Sequence, residues 1–311
     1  MADSLNVFVT GGAGFIGSHL VHRLSTLDCV QTVKVLDHFS HRSVVDYTGL
    51  PKVSFIKGDV QDESILSEAL RNIDVIFHLA DKTSTTGGSI TSFTDSATEL
   101  GLLQAAVRQR VRRFIFASSC AVYGASKTFP TAEDAPLLPL SPYARKKVAI
   151  EELVESFVHL HGLECLTLRF FNVYGQRQRP GPHYAAVVSR FIEAAKAGSP
   201  VIVTGSGRQT RDFVHISDAV EALCRSGLFY ENCTGSRVFN VGTGIETTIG
   251  ELAVLVQRIT EVPVSIVITA ASAAEVYRSQ ADPSLSADLL GFTAAVTITE
   301  GISEMWQAMR K

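Results

Sequence analysis

The sequence predicts an α/β fold in which a doubly wound parallel sheet carries helices on both faces. Short apolar runs recur in the first part of the chain, at 7–10, 32–36, 53–56, 75–79 and 114–117. The stretch 63–72 reads as a helix between two of these runs. Strands that are apolar throughout are typical of a parallel sheet buried on both faces. Right-handed crossovers between such strands produce the doubly wound arrangement.

The second half of the chain predicts a smaller, mixed α/β lobe. A helix is expected over 142–159, because Pro142 suits the first turn of a helix, and a strand is expected at 166–169. Further helices are expected at 184–197, 248–260 and 299–309.

A glycine-rich turn separates the first predicted strand from the helix that follows it. Gly11, Gly14 and Gly17 have GxxGxxG spacing and enclose Phe15 and Ile16. The first glycine permits a tight turn, the second admits a pyrophosphate close to the backbone, and the third lets helix and strand pack together. The helix N-terminus then offers free N–H groups to the phosphates. This pattern predicts a dinucleotide site in a Rossmann-type sheet.

Two acidic positions follow later strands of the predicted sheet. Asp37 ends the second strand, 20 residues after Gly17, where a carboxylate accepts the ribose hydroxyls of the adenosine. A carboxylate there repels a 2′-phosphate, so NAD is favoured over NADP, although the nearby Arg42 would soften that preference. Asp59 and Val60, after the third strand, suit the edge of the adenine.

A YxxxK pair opens the helix predicted at 142–159. Tyr143 and Lys147 lie four residues apart and therefore share one face of the helix. An ammonium close to a phenol lowers the pKa of the phenol, which can then accept a proton from a sugar hydroxyl. Ser119, at the end of the fifth strand, would hydrogen-bond the same substrate oxygen. The three residues together predict catalytic chemistry.

These motifs resemble one known family along nearly the whole chain, from residue 6 to about residue 306. TGGAGFIGSH, HLA at 78–80, SSCAVYG, SPYARKK, LRFFNVYG and GSGRQTRDFVHISD look like the extended short-chain dehydrogenase/reductases, in the branch of nucleotide-sugar epimerases and dehydratases. The resemblance implies a catalytic triad of Ser119, Tyr143 and Lys147 and an NAD that stays bound and is recycled. It also places Leu79 and Ala80 beside the cofactor.

The resemblance further implies a UDP-sugar substrate. Asn172 matches a residue that contacts the diphosphate, and Arg211 matches an arginine on the phosphates, a role suited to a guanidinium fork. Val201 begins a strand that lies near the nucleobase. Arg177 is a further candidate for a phosphate or ribose contact, with a surface salt bridge as the alternative.

The chain departs from the family pattern in two segments. Where many relatives have R-x-G-D near position 272, this chain has Ala-Ser-Ala-Ala-Glu, and Arg278 is the candidate substitute. The loop at 83–92 lacks the usual proline pattern, and Asp95 replaces a frequent asparagine.

Cys120 and Ala121 bear on the type of reaction. They occupy the positions where the family's 4,6-dehydratases have an acidic pair, so Ala121 argues against an ordinary 4,6-dehydratase. Cys120 is either a small filler or a thiol that moves a proton at carbon 5 or 6. Within the branch, the chain resembles the UDP-N-acetylglucosamine 5,6-dehydratases of antibiotic biosynthesis.

Two alternatives stay open at this stage. A UDP-hexose 4-epimerase, acting on UDP-glucose or UDP-N-acetylglucosamine, would need Cys120 only as a filler. A non-catalytic NAD-dependent sensor would not need to keep Ser119, Tyr143 and Lys147 together.

Composition excludes several classes of function. The 311 residues are 46% hydrophobic and 19% charged with a net charge of −3, so no overall field attracts nucleic acid or an anionic membrane. The five cysteines are scattered, which argues against a disulfide framework or a metal site and favours the cytoplasm. The N-terminus does not resemble a signal peptide, and no membrane span is expected.

Two domains are predicted from these elements. Residues 1–170 form the NAD-binding Rossmann domain, to which sheet elements from about 205–240 return, and residues 171–311 form mainly the nucleotide-sugar-binding lobe. The resemblance implies a homodimer through helices near 95–108 and 142–159.

Overall fold

In the fold, the apolar runs form strands that pair into sheets, and polar residues mark the ends of strands and helices. The computed structural model describes residues 4–38, 49–81, 96–178, 187–231, 235–263, 265–270 and 276–310. Four positions singled out from the sequence lie outside the described residues: Arg42, the loop at 83–92, Asp95 and the segment near 272.

The chain forms two units, each built from several segments. Unit 1 comprises Met1–Ser119, Pro142–Arg169 and Val220–Phe239. Unit 2 comprises Cys120–Ser141, Phe170–Ala219 and Asn240–Lys311. The first boundary falls inside SSCAVYG, between Ser119 and Cys120.

The strands, in chain order, are β1 (Leu5–Thr10), β2 (Val30–Asp37), β3 (Val53–Lys57), β4 (Val75–His78), β5 (Arg113–Ser119), β6 (Glu164–Phe170), β7 (Asn172–Tyr174), β8 (Val201–Thr204), β9 (Thr210–His215), β10 (Ser236–Val241), β11 (Glu246–Thr248) and β12 (Ile266–Thr269). The helices are α1 (Phe15–Ser25), α2 (Glu63–Ala69), α3 (Ala97–Arg108), α4 (Pro142–His161), α5 (Val187–Lys196), α6 (Ile216–Cys224), α7 (Ile249–Thr260), α8 (Ser284–Leu290) and α9 (Ile298–Arg310).

The main sheet has seven strands in the order β10-β6-β5-β4-β1-β2-β3. β1 pairs in parallel with β2 on one side and β4 on the other, and β2–β3 and β4–β5 are also parallel. The predicted α/β fold with a doubly wound parallel sheet is therefore confirmed. The strand order reverses direction between β1 and β4, and ligands of such sheets bind at the carboxyl ends of the strands beside this reversal.

Two smaller sheets complete the strand pairing. β9 pairs with β7 in parallel and with β11 in antiparallel orientation. β8 pairs in parallel with β12. β8 (VIVT) and β12 (IVIT) are apolar runs, whereas β9 (TRDFVH) and β11 (ETT) contain polar residues that give no clear strand signal.

Each unit has its own apolar core. In unit 1, Phe8, Ile76 and Phe114 lie among the buried residues on one face of the sheet. In unit 2, Phe191 and Leu252 belong to the cluster that joins α5, α7, α9 and the inner side of β8. Burial of this apolar surface is the main force that stabilises each unit.

Local polar signals set the ends of the helices. Asp62 caps α2 by accepting hydrogen bonds from Ser64 N and Ile65 N, and Thr248 forms a capping box with Glu251 at the start of α7. The helix predicted to reach 72 ends earlier, at Ala69, and Asn72 adopts the left-handed backbone conformation with φ of 58°. A residue in that conformation ends the helical repeat.

Candidate active site

The glycine motif forms a cradle at the carboxyl end of β1. Gly11 has φ of 71°, and a Cβ there would lie 2.7 Å from the backbone nitrogen of Ala80. A Cβ at Gly17 would collide with the carbonyl oxygen of Gly11. Gly14 is the N-cap of α1, with Phe15 and Ile16 half-buried in its first turn. The tight turn and the close backbone packing at the start of α1 give the shape that a dinucleotide pyrophosphate requires.

Acidic groups border this cradle at the ends of β2 and β3. Asp37 Oδ2 accepts a hydrogen bond from Ala13 N at 2.9 Å, which ties the carboxylate to the glycine turn. Asp59 accepts a hydrogen bond from Gln61 N at 2.9 Å and faces His38 Nε2 at 3.1 Å, while Val60 is buried. These positions agree with the adenosine end of a bound NAD.

Leu79 and Ala80 follow β4 next to the cradle. Both are half-buried, and Ala80 N donates to Thr10 Oγ1 at 3.2 Å. The hydrogen bond joins the ends of β4 and β1 at the point where the strand order reverses.

Tyr143 and Lys147 lie in the first two turns of α4. Lys147 is buried, and its Nζ lies 5.7 Å from the centre of the Tyr143 ring. The same Nζ donates to the carbonyl oxygen of Ala117 in β5 at 2.8 Å, and it lies 4.9 Å from the centre of the Phe116 ring. These contacts fix the ammonium between helix and sheet, close to the phenol of Tyr143.

The two serines at the end of β5 differ in what surrounds them. Ser118 is buried, and its hydroxyl donates to Glu151, which also accepts a bond at 2.7 Å from Arg169 Nη2. Ser119 is half-buried. Ser118 therefore belongs to a structural network with Glu151 and Arg169.

Buried charges surround Lys147, and sequence reasoning missed them. Asp81 Oδ2 lies 2.9 Å from Lys147 Nζ, and Asp81 Oδ1 lies 3.1 Å from Lys146 Nζ. Glu99 Oε1 lies 3.4 Å from Lys146 Nζ and 3.9 Å from His78 Nε2. The contact of Asp81 with Lys147 is an ion pair, since the aligned hydrogen bond of Lys147 goes to Ala117. We call Asp81, Glu99, Lys146 and Lys147 the lysine cluster.

In the lysine cluster, the pKa values of the acids are lowered and those of the lysines are raised, so each group favours the charged form of its oppositely charged neighbour. Burial alone would raise the pKa of Asp81, but the two ammonium groups outweigh it and hold that pKa at about 2. Burial would lower the pKa of Lys147, but Asp81 and the other acidic groups around it together outweigh burial and raise that pKa. The pKa of Glu99 is lowered because the hydrogen bond with His78 and the charge of Lys146 outweigh burial. The pKa of Lys146 is raised because Asp81 and Glu99 outweigh burial. All four groups are therefore charged at neutral pH.

Cys120 begins a 3-10 turn, Cys120–Tyr123, in unit 2. Its thiol is half-buried, and Ser279 Oγ lies 4.0 Å from Sγ. Burial raises the pKa of Cys120 to about 11, and the opposing effects of Ser279 and Arg211 are smaller. The thiol therefore keeps its proton at neutral pH, which suits a proton donor rather than a resting thiolate.

The predicted substrate residues of unit 2 have different surroundings. Asn172 is half-buried in β7, and its Oδ1 has no hydrogen-bond partner among the described residues. Arg211 Nη1 donates to Thr210 O at 2.7 Å. Val201 is fully buried in the core of unit 2, so only its backbone can meet a ligand.

Arg177 and Arg278 are held within unit 2. Arg177 has φ of 63° and lines a cleft with Met305 and Met309 of α9. Arg278 binds the carboxylate of Glu246 through Nε at 2.8 Å and Nη2 at 2.7 Å. Its guanidinium must leave this pair before it can bind a phosphate through the same nitrogen atoms.

Two absences hold within the described part of the chain. None of its helices is both long and apolar enough to cross a membrane. No group of three or more His, Cys, Asp or Glu side chains there is arranged to hold a metal ion.

The sheet, the glycine cradle and the Tyr143–Lys147 pair define a dinucleotide-dependent enzyme class. The NAD dependent epimerase/dehydratase family matches residues 7–242, and the chain belongs to this family. Its cofactor is NAD, and the predicted membership of the extended short-chain dehydrogenase/reductases is confirmed.

Individual relatives cover nearly the whole chain but have different activities. A UDP-glucose 4-epimerase of Mycolicibacterium smegmatis is 34% identical, over 98% of this chain and 99% of the relative. A dTDP-glucose 4,6-dehydratase of Actinoplanes sp. is 32% identical, over 96% of each chain. The structure of a UDP-N-acetylglucosamine 4-epimerase from Methanobrevibacter ruminantium, in complex with UDP-N-acetylmuramic acid, has a TM-score of 0.89 at 30% identity and covers 99% of this chain and 100% of that one.

Proposed function

We propose that this protein transiently oxidises carbon 4 of UDP-N-acetylglucosamine and eliminates water across carbons 5 and 6, as a 5,6-dehydratase. The observation that carries the proposal is the protonated thiol of Cys120 directly after Ser119, with Ala121 in place of a second acidic group. A single group that both gives and takes a proton is sufficient for this elimination. It is insufficient for a reaction that must later protonate carbon 5 with a separate acid.

The first step concerns the hydroxyl on carbon 4. Tyr143 accepts the hydroxyl proton as a phenolate, and the ammonium of Lys147 stabilises that phenolate. Ser119 hydrogen-bonds the same oxygen and orients it. NAD, when bound, supplies the hydride acceptor and donor for carbon 4.

The second step breaks the C5–H and C6–O bonds and forms the C5=C6 double bond. The carbon 4 ketone makes the carbon 5 proton acidic. Cys120 gives its proton to the departing hydroxyl, which leaves as water, and the same sulfur takes the proton from carbon 5. The thiol is then restored, and return of hydride to carbon 4 and of the proton from Tyr143 to oxygen 4 completes the cycle.

The diphosphate is proposed to bind unit 2 through Asn172 and Arg211. Asn172 Oδ1 has no hydrogen-bond partner among the described residues and can accept a bond from a substrate donor, whereas only an N–H group of Asn172 can donate to a phosphate oxygen. Arg211 offers the fork geometry that suits phosphates. Arg177 and Arg278 are secondary candidates, because Arg278 is already paired with Glu246.

A UDP-hexose 4-epimerase is the second candidate. It is favoured by the epimerase relatives described above, one of which acts on UDP-N-acetylglucosamine. In this reaction Tyr143, Lys147 and Ser119 have the same roles. The 4-keto sugar rotates in the site so that hydride returns to its other face, and Cys120 only fills space.

Product mass separates the two candidates. Elimination lowers the mass of the sugar nucleotide by about 18 Da, whereas epimerisation leaves it unchanged. We expect UDP-N-acetylglucosamine incubated with the protein to give the lighter product. Substrate recovered from a reaction in deuterium oxide reports exchange at carbon 5, because the alkene carries no hydrogen there. An epimer of unchanged mass as the only product would replace the dehydratase with the epimerase. The homodimer, the cytoplasmic location and the role in antibiotic biosynthesis stay predictions.

A further inference from the structure

We propose that Asp81 and Lys146 are positioning residues that set the pH at which Tyr143 accepts a proton, and that they act through Lys147. The inference rests on the proposed function only in taking Tyr143 as the proton acceptor. Neither residue belongs to the triad, and neither was singled out by the sequence motifs.

The geometry connects these residues to Tyr143 in one short path. The carboxylate of Asp81 bridges the two lysines, at 2.9 Å from Lys147 Nζ and 3.1 Å from Lys146 Nζ. Lys147 Nζ is in turn 5.7 Å from the centre of the Tyr143 ring. Lys147 is buried, with 6% of its side chain exposed, and the side chains of Asp81 and Lys146 are mostly covered, with 13% and 11% exposed. Water therefore screens their charges weakly.

The charges of the lysine cluster cancel. Lys146 and Lys147 contribute two positive charges, and Asp81 and Glu99 contribute two negative charges. Loss of any one group therefore leaves one uncompensated charge in the cluster, whose Lys147 Nζ lies 5.7 Å from the centre of the Tyr143 ring.

The other charged groups that face this region are accounted for by their own partners. His78 lies behind Glu99, with Nδ1 2.8 Å from Thr10 Oγ1. Glu151, one turn beyond Lys147, is neutralised by Arg169 at 2.7 Å. Among the described residues, Asp81 and Lys146 are thus the charged groups whose substitution should change the electrostatic potential at Lys147.

The sign of each effect follows from this cancellation. Asp81→Asn leaves one extra positive charge, which stabilises the phenolate and lowers the pKa of Tyr143. Lys146→Met leaves one extra negative charge, which raises that pKa. The double variant restores neutrality, so its Tyr143 should titrate near the wild-type pH. A purely structural role would not produce shifts of opposite sign that cancel.

The test is an NMR titration of the protein carrying ring-labelled tyrosine, without NAD or substrate. Tyr143→Phe identifies the resonance of Tyr143. We expect shifts of about one pH unit, downward for Asp81→Asn and upward for Lys146→Met, with recovery in the double variant. Glu63→Gln, which removes an exposed partner of Arg108, serves as the control and should leave the titration unchanged.

Unchanged titration, shifts of the same sign, or a double variant that fails to recover would overturn the proposal. If Asp81→Asn does not fold, the upward shift of Lys146→Met must appear alone, and its absence overturns the proposal equally. Because the titration requires no turnover, cancelling shifts in a protein that makes no alkene would refute the proposed reaction and leave this inference standing.

Discussion

The lysine cluster and the thiol of Cys120 respond to burial in opposite ways. In the cluster, each buried charge has an opposite charge within 3.4 Å, and all four groups stay ionised. Around Cys120, the effects of Ser279 and Arg211 are weaker than the effect of burial, and the thiol stays neutral with a pKa of about 11.

This difference assigns different chemistry to the two regions. The ammonium of Lys147 beside Tyr143 is proposed to stabilise a phenolate, which removal of the proton from the carbon 4 hydroxyl requires. A neutral thiol holds a proton that it can give to a leaving hydroxyl. The difference also separates the candidate reactions, because the epimerase uses only the first region.

The largest effect is expected from removing the phenol on which the cluster acts. Tyr143→Phe should reduce oxidation at carbon 4 by about a thousandfold, because it removes the proposed acceptor of the hydroxyl proton. Single-turnover absorbance of reduced NAD measures this step. Tyr230→Phe, whose ring packs on Phe239, is the control and should retain the rate. Retained oxidation in Tyr143→Phe would remove Tyr143 from the mechanism.

The neutral thiol should react slowly with an alkylating reagent. At pH 8, a pKa of about 11 leaves Cys120 with about a hundredfold less thiolate than a free cysteine has. The alkylation rate should rise about tenfold per pH unit toward the pKa, as measured by peptide mass spectrometry. An alkylation rate that levels off near pH 8 or 9 would show that Cys120 ionises as readily as a free cysteine, which would contradict a pKa of about 11.

The charged cluster should stabilise the fold in a pH-dependent way. The pKa of Asp81 is lowered from 3.8 to about 2, so its contribution is complete above pH 4 and is lost as the pH falls toward 2. Asp81→Asn should therefore lower the free energy of unfolding by about 2 kcal/mol at pH 7 and by progressively less in acid. Chemical denaturation across this range tests the prediction, and Glu63→Gln should show no such gap. If the difference in unfolding free energy between Asp81→Asn and the wild type does not shrink in acid, packing and not charge is responsible for it.

The smallest effect is expected at Arg278. Its pair with Glu246 leaves 45% of the arginine side chain exposed, and exposed pairs contribute less than about 1 kcal/mol. Arg278→Ala should change the KM for the UDP-sugar less than threefold or so, whereas Arg211→Ala should raise it about tenfold or more. A larger effect at Arg278 would make it the functional replacement for the missing R-x-G-D arginine.

The sheet could be predicted because its strands carry their signal locally. The apolar runs at 53–56 and 75–79 became β3 and β4 within one residue at either end. The glycine spacing likewise predicted the cradle, since a Cβ at Gly11 or Gly17 would collide with nearby backbone atoms. Helix α4 extends two residues beyond the predicted end, to His161.

The lysine cluster could not be read from the sequence because its members are distant along the chain. Asp81 follows β4, whereas Lys146 lies in α4, and only the fold brings them within 3.1 Å. The double lysine in ARKK was the one local signal. Similarly, the burial that raises the pKa of Cys120 depends on the fold, and so does the opposing contact with Ser279, which is distant along the chain.

Single-turnover product analysis of Cys120→Ala tests whether the Cys120 thiol moves the protons of the elimination. Reduction of NAD by UDP-N-acetylglucosamine and formation of the alkene are followed in the same sample. We expect the variant still to reduce NAD but to form the alkene about a hundredfold more slowly than the wild type. Alkene formation at the wild-type rate would remove Cys120 from the elimination and leave it as a space-filling residue.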